Sequence, residues 1–254
     1  MLPRDVLATS LRDAEKPALV AFVTAGFPDP DGFLPLLTEI AEAADAVEVG
    51  VPFTDPMADG VTIQRSSQVA LANGVSLAWI LEQLAEREVE LGAPILLMSY
   101  LNPLLAFGYD SLAERAVQAG VSGFIVPDLP YEESAPLHEA LDVHGLALVQ
   151  LVTPATPPDR LRALCQSSEG FVYAVTRTGI TGAAAELPSD AAEYLAAVSA
   201  ASDLPVCAGF GVRARDQVEE IGNYADGVIV GSALIEALER GESPAAFLDG
   251  LRPR

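Results

Sequence analysis

The chain has 254 residues, half of them hydrophobic, and it is long enough to bury a large core without disulfides or metals. Thirty-six acidic residues against fourteen basic ones give a net charge of -22, which argues against nucleic acid and against an anionic membrane surface, since both are bound through Lys and Arg clusters. Two cysteines, no leader-like segment and no apolar run of about 18 residues lead to the expectation of a cytoplasmic protein with reduced, buried thiols.

Arg12–Ala14 closes a predicted N-terminal helix. Short apolar runs then recur at Ala18–Thr24, Ala46–Val51, Ile95–Ser99, Gly123–Val126, Ala147–Val152, Gly170–Val175, Leu204–Ala208 and Gly227–Val230. Helical stretches lie between them: Asp31–Ala44, Thr62–Ala72 stopped by Gly74, a Ser76-capped helix running to about Leu91, Asp110–Ala119, Tyr131–His144 and Pro157–Gln166. Continuously apolar strands alternating with helices indicate a parallel sheet covered on both faces. Eight such units in one chain predict a (β/α)8 barrel, residues 1–254 forming a single domain, with a doubly wound open sheet as the competing arrangement.

A barrel of this kind carries its active site at the C-terminal ends of its strands. In the second strand, Glu48 alternates onto the face of Ala46 and Gly50, while Val47 and Val49 take the helix-facing side. A carboxylate among small residues in the barrel mouth is partly desolvated, which favours a raised pKa and acid/base work; the competing role is a structural ion pair. The following loop, Pro52-Phe53-Thr54-Asp55-Pro56-Met57-Ala58-Asp59-Gly60, adds two carboxylates, for which turn or capping duty is the alternative. Further on, Thr176–Gly182 reads either as a lid or as a flexible surface loop. Gly209-Phe210-Gly211 after strand seven and Gly231-Ser232-Ala233 after strand eight fit a phosphate site of backbone N–H groups and a helix N-terminus.

Other chemistries are poorly served. The one lysine, Lys16, precedes the first strand at the opposite end of the barrel, which disfavours a Schiff base. His138 and His144 point to different sides of one predicted helix, and no clustered metal ligands are evident. Trp79 reads as helix packing. Acid/base chemistry on a phosphorylated substrate is the mechanism left.

Together these motifs resemble the tryptophan synthase alpha subunit family over about Pro17 to Leu248. The most specific stretch is Val47–Gly60, joined by Met98–Pro103, Pro127–Glu133, Thr178–Gly182 and the two glycine elements. The resemblance implies a lyase that cleaves indole-3-glycerol phosphate to indole and glyceraldehyde 3-phosphate. Glu48 and Asp59 match its catalytic acids, Glu48 moving protons and Asp59 holding the indole N–H. Phe22, Tyr100, Leu129 and Tyr173 match its indole pocket. Gly182, Gly211, Gly231 and Ser232 match its phosphate contacts, and Thr181 matches the lid residue that meets Asp59.

The family also implies an α2β2 complex. No cofactor is expected in this chain, and pyridoxal phosphate is expected in the β subunit. Asp55, Pro56, Asn102, Pro103 and the segment near Asp128–Tyr131 match the surface facing β. Ala183-Ala184-Ala185 departs from the polar or charged residues that relatives often carry there, which puts lid closure and communication with β in doubt. A stand-alone lyase releasing free indole, a phosphoribosyl isomerase on the same barrel, and a catalytically silent partner-binding subunit are the rival expectations.

Overall fold

The computed structural model describes residues 1–15, 17–175, 190–209 and 211–253. Eight parallel strands close on themselves in sequence order: β1 (Ala18–Thr24), β2 (Ala46–Gly50), β3 (Ile95–Met98), β4 (Val121–Ile125), β5 (Ala147–Val152), β6 (Val172–Val175), β7 (Val206–Gly209) and β8 (Gly227–Val230). The helices of the described residues are α1 (Pro3–Asp13), α2 (Phe33–Ala43), α3 (Val61–Ala72), α4 (Leu77–Glu86), α5 (Leu101–Phe107), α6 (Tyr109–Gln118), α7 (Ala135–Asp142), α8 (Pro158–Ser167), α9 (Ala191–Ala201), α10 (Arg215–Ile221), α11 (Ser232–Glu239) and α12 (Pro244–Leu251). The molecule is a (β/α)8 barrel, and the open-sheet alternative is excluded by the pairing of β8 with β1.

Strand alternation sorts the core into two compartments. Val47, Val49, Leu97, Phe124 and Val228 face outward into the layer between sheet and helices. Val20, Ala46, Leu96, Ile125, Val149 and Ile229 fill the barrel interior. Leu7 and Leu11 of α1 belong to this inner cluster and are fully buried, so the N-terminal helix stoppers the lower end of the barrel. Arg4 fastens it there, its guanidinium donating to Asp142 at 2.6 Å and to Glu169 at 2.7 Å.

Several boundaries differ from the sequence expectation, each for a local reason. The Ser76-capped helix stops at Glu86, not Leu91. Its buried stripe is Leu77, Ile80, Leu81 and Leu84, and the next core-facing positions are Arg87 and Glu88, which have nothing apolar to bury. The stretch Tyr131–His144 is not one helix: a single 3-10 turn, Tyr131–Glu133, precedes α7. Pro136 lacks the N–H that a helix running through from Glu132 needs. β4 begins two residues before the expected Gly123, because its register against β3 slips between Ile95↔Val121 and Leu96↔Gly123, an irregularity that breaks the alternation the sequence is read by. β6 and β7 begin two residues later than expected, at Val172 and Val206. Lys16 lies outside the described residues.

Candidate active site

Glu48 occupies the middle of β2, level with Phe22 of β1 on one side and Leu96 of β3 on the other. The second strand can hold it there because its inner neighbours are Ala46 and Gly50. A side chain at position 50 would collide with the Phe22 ring, which lies 2.5 Å from where a Cβ would sit. Glu48 is completely buried, and neither carboxylate oxygen has a hydrogen-bond partner among the described residues. Sequence reasoning expected partial desolvation; the burial is total. It pushes the carboxyl up to about 8, so the group is largely protonated at neutral pH.

Tyr173 and Cys207, paired in register on β6 and β7, share this interior with Glu48. Burial first, and the nearby Glu48 charge second, raise both the phenol and the thiol well above their ordinary values. Tyr173 lies over Gly209, whose missing side chain leaves room for the ring, 2.6 Å from the Cβ position. The sequence marks Cys207 as a buried thiol and nothing more; its proximity to Glu48 depends on which strands meet inside a closed barrel, which strand composition does not reveal.

Asp59 approaches from the loop between β2 and α3. That loop is pinned: the Asp59 N–H donates to the Pro56 carbonyl at 3.2 Å, and the Gln64 amide donates to the Asp59 carbonyl at 2.9 Å. The Tyr100 hydroxyl accepts from the Ala58 N–H at 2.9 Å and hydrogen-bonds the Asp59 carboxylate. Phe53 stacks on the Tyr100 ring at 5.0 Å. Burial raises the Asp59 carboxyl to about 6, and the Tyr100 hydrogen bond pulls against that rise. Phe22, Gly50, Asp59, Met98, Tyr100 and Pro127 line one small cavity in the barrel mouth. Tyr173 feels both the Glu48 and the Asp59 charge, so the two carboxylates flank a common interior.

The glycine elements reach the same mouth. Gly211 has φ +69°, a conformation that favours glycine. Gly231 precedes Ser232, the buried first residue of α11, and its Cβ position is 3.4 Å from the Phe22 Cβ. Phe22 thus lies between Gly231 and Gly50, the residue two positions after Glu48.

Leu129 is not among the residues around that cavity; with Tyr131, Leu148, Leu151 and Arg160 it lines a separate cleft beside the mouth. Thr181, Gly182 and the whole segment 176–189, with Ala183–Ala185, lie outside the described residues, as does Phe210. Asp55 is exposed and accepts from the Thr54 hydroxyl at 2.6 Å. Pro56 is half-buried, and Asn102 and Pro103 sit in the first turn of α5, whose Leu101 N–H is capped by Asp128 at 2.9 Å. Asp55 and Pro56 belong to the loop that carries Asp59, and Asn102 and Pro103 follow Tyr100, whose hydroxyl accepts from the Ala58 N–H of that loop. No group of three or more potential metal ligands occurs among the described residues.

A closed (β/α)8 barrel whose mouth holds a buried acid and a second carboxylate, with glycine turns after β7 and β8, has the parts of an acid/base enzyme. The comparisons with known proteins give it a family. The model of the tryptophan synthase alpha chain matches residues 8–249. The tryptophan synthase alpha chain of Desulfovibrio desulfuricans is 45% identical over 238 residues, covering 92% of this chain and 93% of that one. That of Solidesulfovibrio magneticus is 42% identical, covering 97% and 98%. Among solved structures, Mycobacterium tuberculosis tryptophan synthase aligns with a TM-score of 0.88 at 39% identity over 96% of this chain and 95% of that one. The alpha subunit from Legionella pneumophila aligns at 0.87 and 35%, covering 99% and 97%. The chain belongs to the tryptophan synthase alpha chain family. It is a lyase of tryptophan biosynthesis that cleaves indole-3-glycerol phosphate, and the rival readings as an isomerase, a free-standing lyase or a silent subunit are not favoured.

Proposed function

We propose that Glu48 is the proton-moving group of the cleavage and Asp59 its electrostatic partner. The observation that carries this reading is the separation of the two acids by environment: Glu48 holds its proton up to about 8, whereas Asp59 is ionised above about 6. At neutral pH one is therefore a donor and the other an anion, the division of labour that two-carboxylate chemistry needs.

The difficulty of the reaction is a carbon–carbon bond with a poor carbanion as leaving group. Protonated Glu48 delivers its proton to indole C3, and the ring becomes an iminium that can accept an electron pair. Asp59 takes the N1–H hydrogen bond and stabilises that positive charge. Glu48, now a carboxylate, removes the proton of the side-chain hydroxyl. The C–C bond breaks, its electrons restore the indole ring, the hydroxyl carbon becomes the aldehyde, and Glu48 is again protonated. Every group in this cycle is supplied by the chain or the substrate. The phosphate is held by backbone N–H groups around Gly211, Gly231 and Ser232 and the N-terminal end of α11, which suits a chain with so few cations. Phe22, Tyr100 and Tyr173 flank the indole ring, and Leu129 lines the adjoining cleft, which shares Pro127 with the mouth. Thr181 and Gly182, which lie outside the described residues, are the remaining substrate contacts that the family resemblance implies.

A β subunit is the partner that the family supplies. We place the contact at Asp55, Pro56, Asn102 and Pro103, in an α2β2 assembly in the cytoplasm whose pyridoxal phosphate is held by β. Indole release from indole-3-glycerol phosphate tests the reading, with wild type and Asp59→Asn each measured with and without β. Asp59→Asn is expected to lose about 10²-fold or more, the scale of one charge-stabilising group, and β is expected to raise the wild-type rate. Full activity in Asp59→Asn would remove Asp59 from the mechanism.

A further inference from the structure

The loop that follows β7 is held by a side chain that the phosphate motifs do not include. Arg213, two residues past Gly211, makes a two-pronged ion pair with Glu236 of α11, at 2.5 and 2.8 Å. The same carboxylate accepts from the Thr62 hydroxyl at 3.2 Å. Three segments meet at this one group: the loop carrying Gly211, the helix that opens with Ser232, and the start of α3, three residues after Asp59. Both side chains are mostly covered, 29% and 25% exposed. Each shifts the other toward its charged form, Arg213 upward and Glu236 downward, with their mutual hydrogen bond as the leading cause.

Glu236 stands four residues after Ser232, which puts it on the same side of α11, about 6 Å further along the axis. An unpaired carboxylate in that place opposes the field that draws an anion to the helix N-terminus. The other acid of α11, Glu239, is paired in the same manner with Arg65, at 2.6 and 2.7 Å. In a chain with 36 acids and 14 basic residues, arginines are therefore committed to both acids of the helix that opens at the cradle.

We propose that the Arg213–Glu236 pair is a positioning element for substrate phosphate: it fixes the loop after β7 onto α11 and cancels a carboxylate one turn from the bound anion. The proposal rests on the reading of Gly211, Gly231 and Ser232 as the phosphate site. Neither side chain contacts the reacting atoms, so the pair acts on affinity and leaves the chemical step alone.

The test titrates the full chain with inorganic phosphate and with glycerol 3-phosphate by calorimetry, for wild type, Arg213→Ala, Glu236→Gln and the double variant. KM and kcat for indole-3-glycerol phosphate are measured in parallel, and a thermal melt of each variant reports folding. Arg213→Ala is expected to weaken both anions about tenfold, about 1.4 kcal/mol, and to raise KM to match while kcat holds. Adding Glu236→Gln to it removes the offending charge and is expected to recover affinity to within about threefold of wild type, the signature of coupled residues. Glu236→Gln alone keeps a side-chain oxygen that accepts from Arg213 and so still holds the loop, while its charge is gone, and it is expected to bind the anions at least as tightly as wild type. Unchanged affinity in Arg213→Ala, no recovery in the double variant, or weakened binding in Glu236→Gln alone overturns the proposal. Wild type that binds neither anion overturns the phosphate reading itself.

Discussion

Replacing Glu48 by Gln separates the two costs of keeping a carboxyl in the barrel interior. In the folded chain the group holds its proton up to about 8, against an ordinary value of 4.5. Between those values the folded state binds a proton that the unfolded state has released, so stability falls as pH rises through this window, by about 1.4 kcal/mol per pH step once the unfolded group is fully ionised. From pH 5.5 to pH 8 the loss comes to about 3 kcal/mol. Glutamine has nearly the same shape and does not titrate. Its buried amide carries a desolvation cost of its own, but that cost is the same at every pH. The expected result is therefore a stability difference, Gln variant minus wild type, that moves in favour of the variant by about 3 kcal/mol between pH 5.5 and 8. Indole release by the variant should fall at the same time by about 10²-fold or more. Urea denaturation at four pH values gives the first quantity and a stopped indole assay the second. A stability difference that stays flat with pH would refute the claim that Glu48 is protonated in the resting enzyme, and with it the proton delivery to C3.

Two other substitutions probe the frame around the acids. Tyr100→Phe removes the hydroxyl that stabilises ionised Asp59, so the Asp59 carboxyl rises above about 6 and the acid-side fall of kcat/KM moves to higher pH; an unmoved pH profile would show that the hydroxyl does not act on Asp59. Leu7→Ala opens a cavity in the fully buried stopper of the barrel and is expected to cost about 2–5 kcal/mol in chemical denaturation, with kcat unchanged below the melting transition; a loss of kcat in the folded variant would tie the lower end of the barrel to the chemistry.

The barrel is legible in the chain because each strand is a short apolar run, and period-two alternation alone places Ala46 inside and Val47 and Val49 outside. The same alternation puts Glu48 in the interior before any coordinates are known. Boundaries are less legible where one residue overrides a pattern, as Pro136 does at the start of α7 and the register slip does at the start of β4. Relations across the barrel are not legible at all. Nothing in the local sequence says that Cys207 shares an interior with Glu48, or that Arg213 and Glu236 are partners, because these contacts depend on how eight strands close. Leu129 shows the converse: it stands two residues after Pro127, which lines the mouth, yet it faces a neighbouring cleft.

The stopper formed by Leu7 and Leu11 makes the interior a blind well. Among the described residues the interior is closed at that end, so Glu48 is approached from the end of the barrel that carries Phe22 and Gly231.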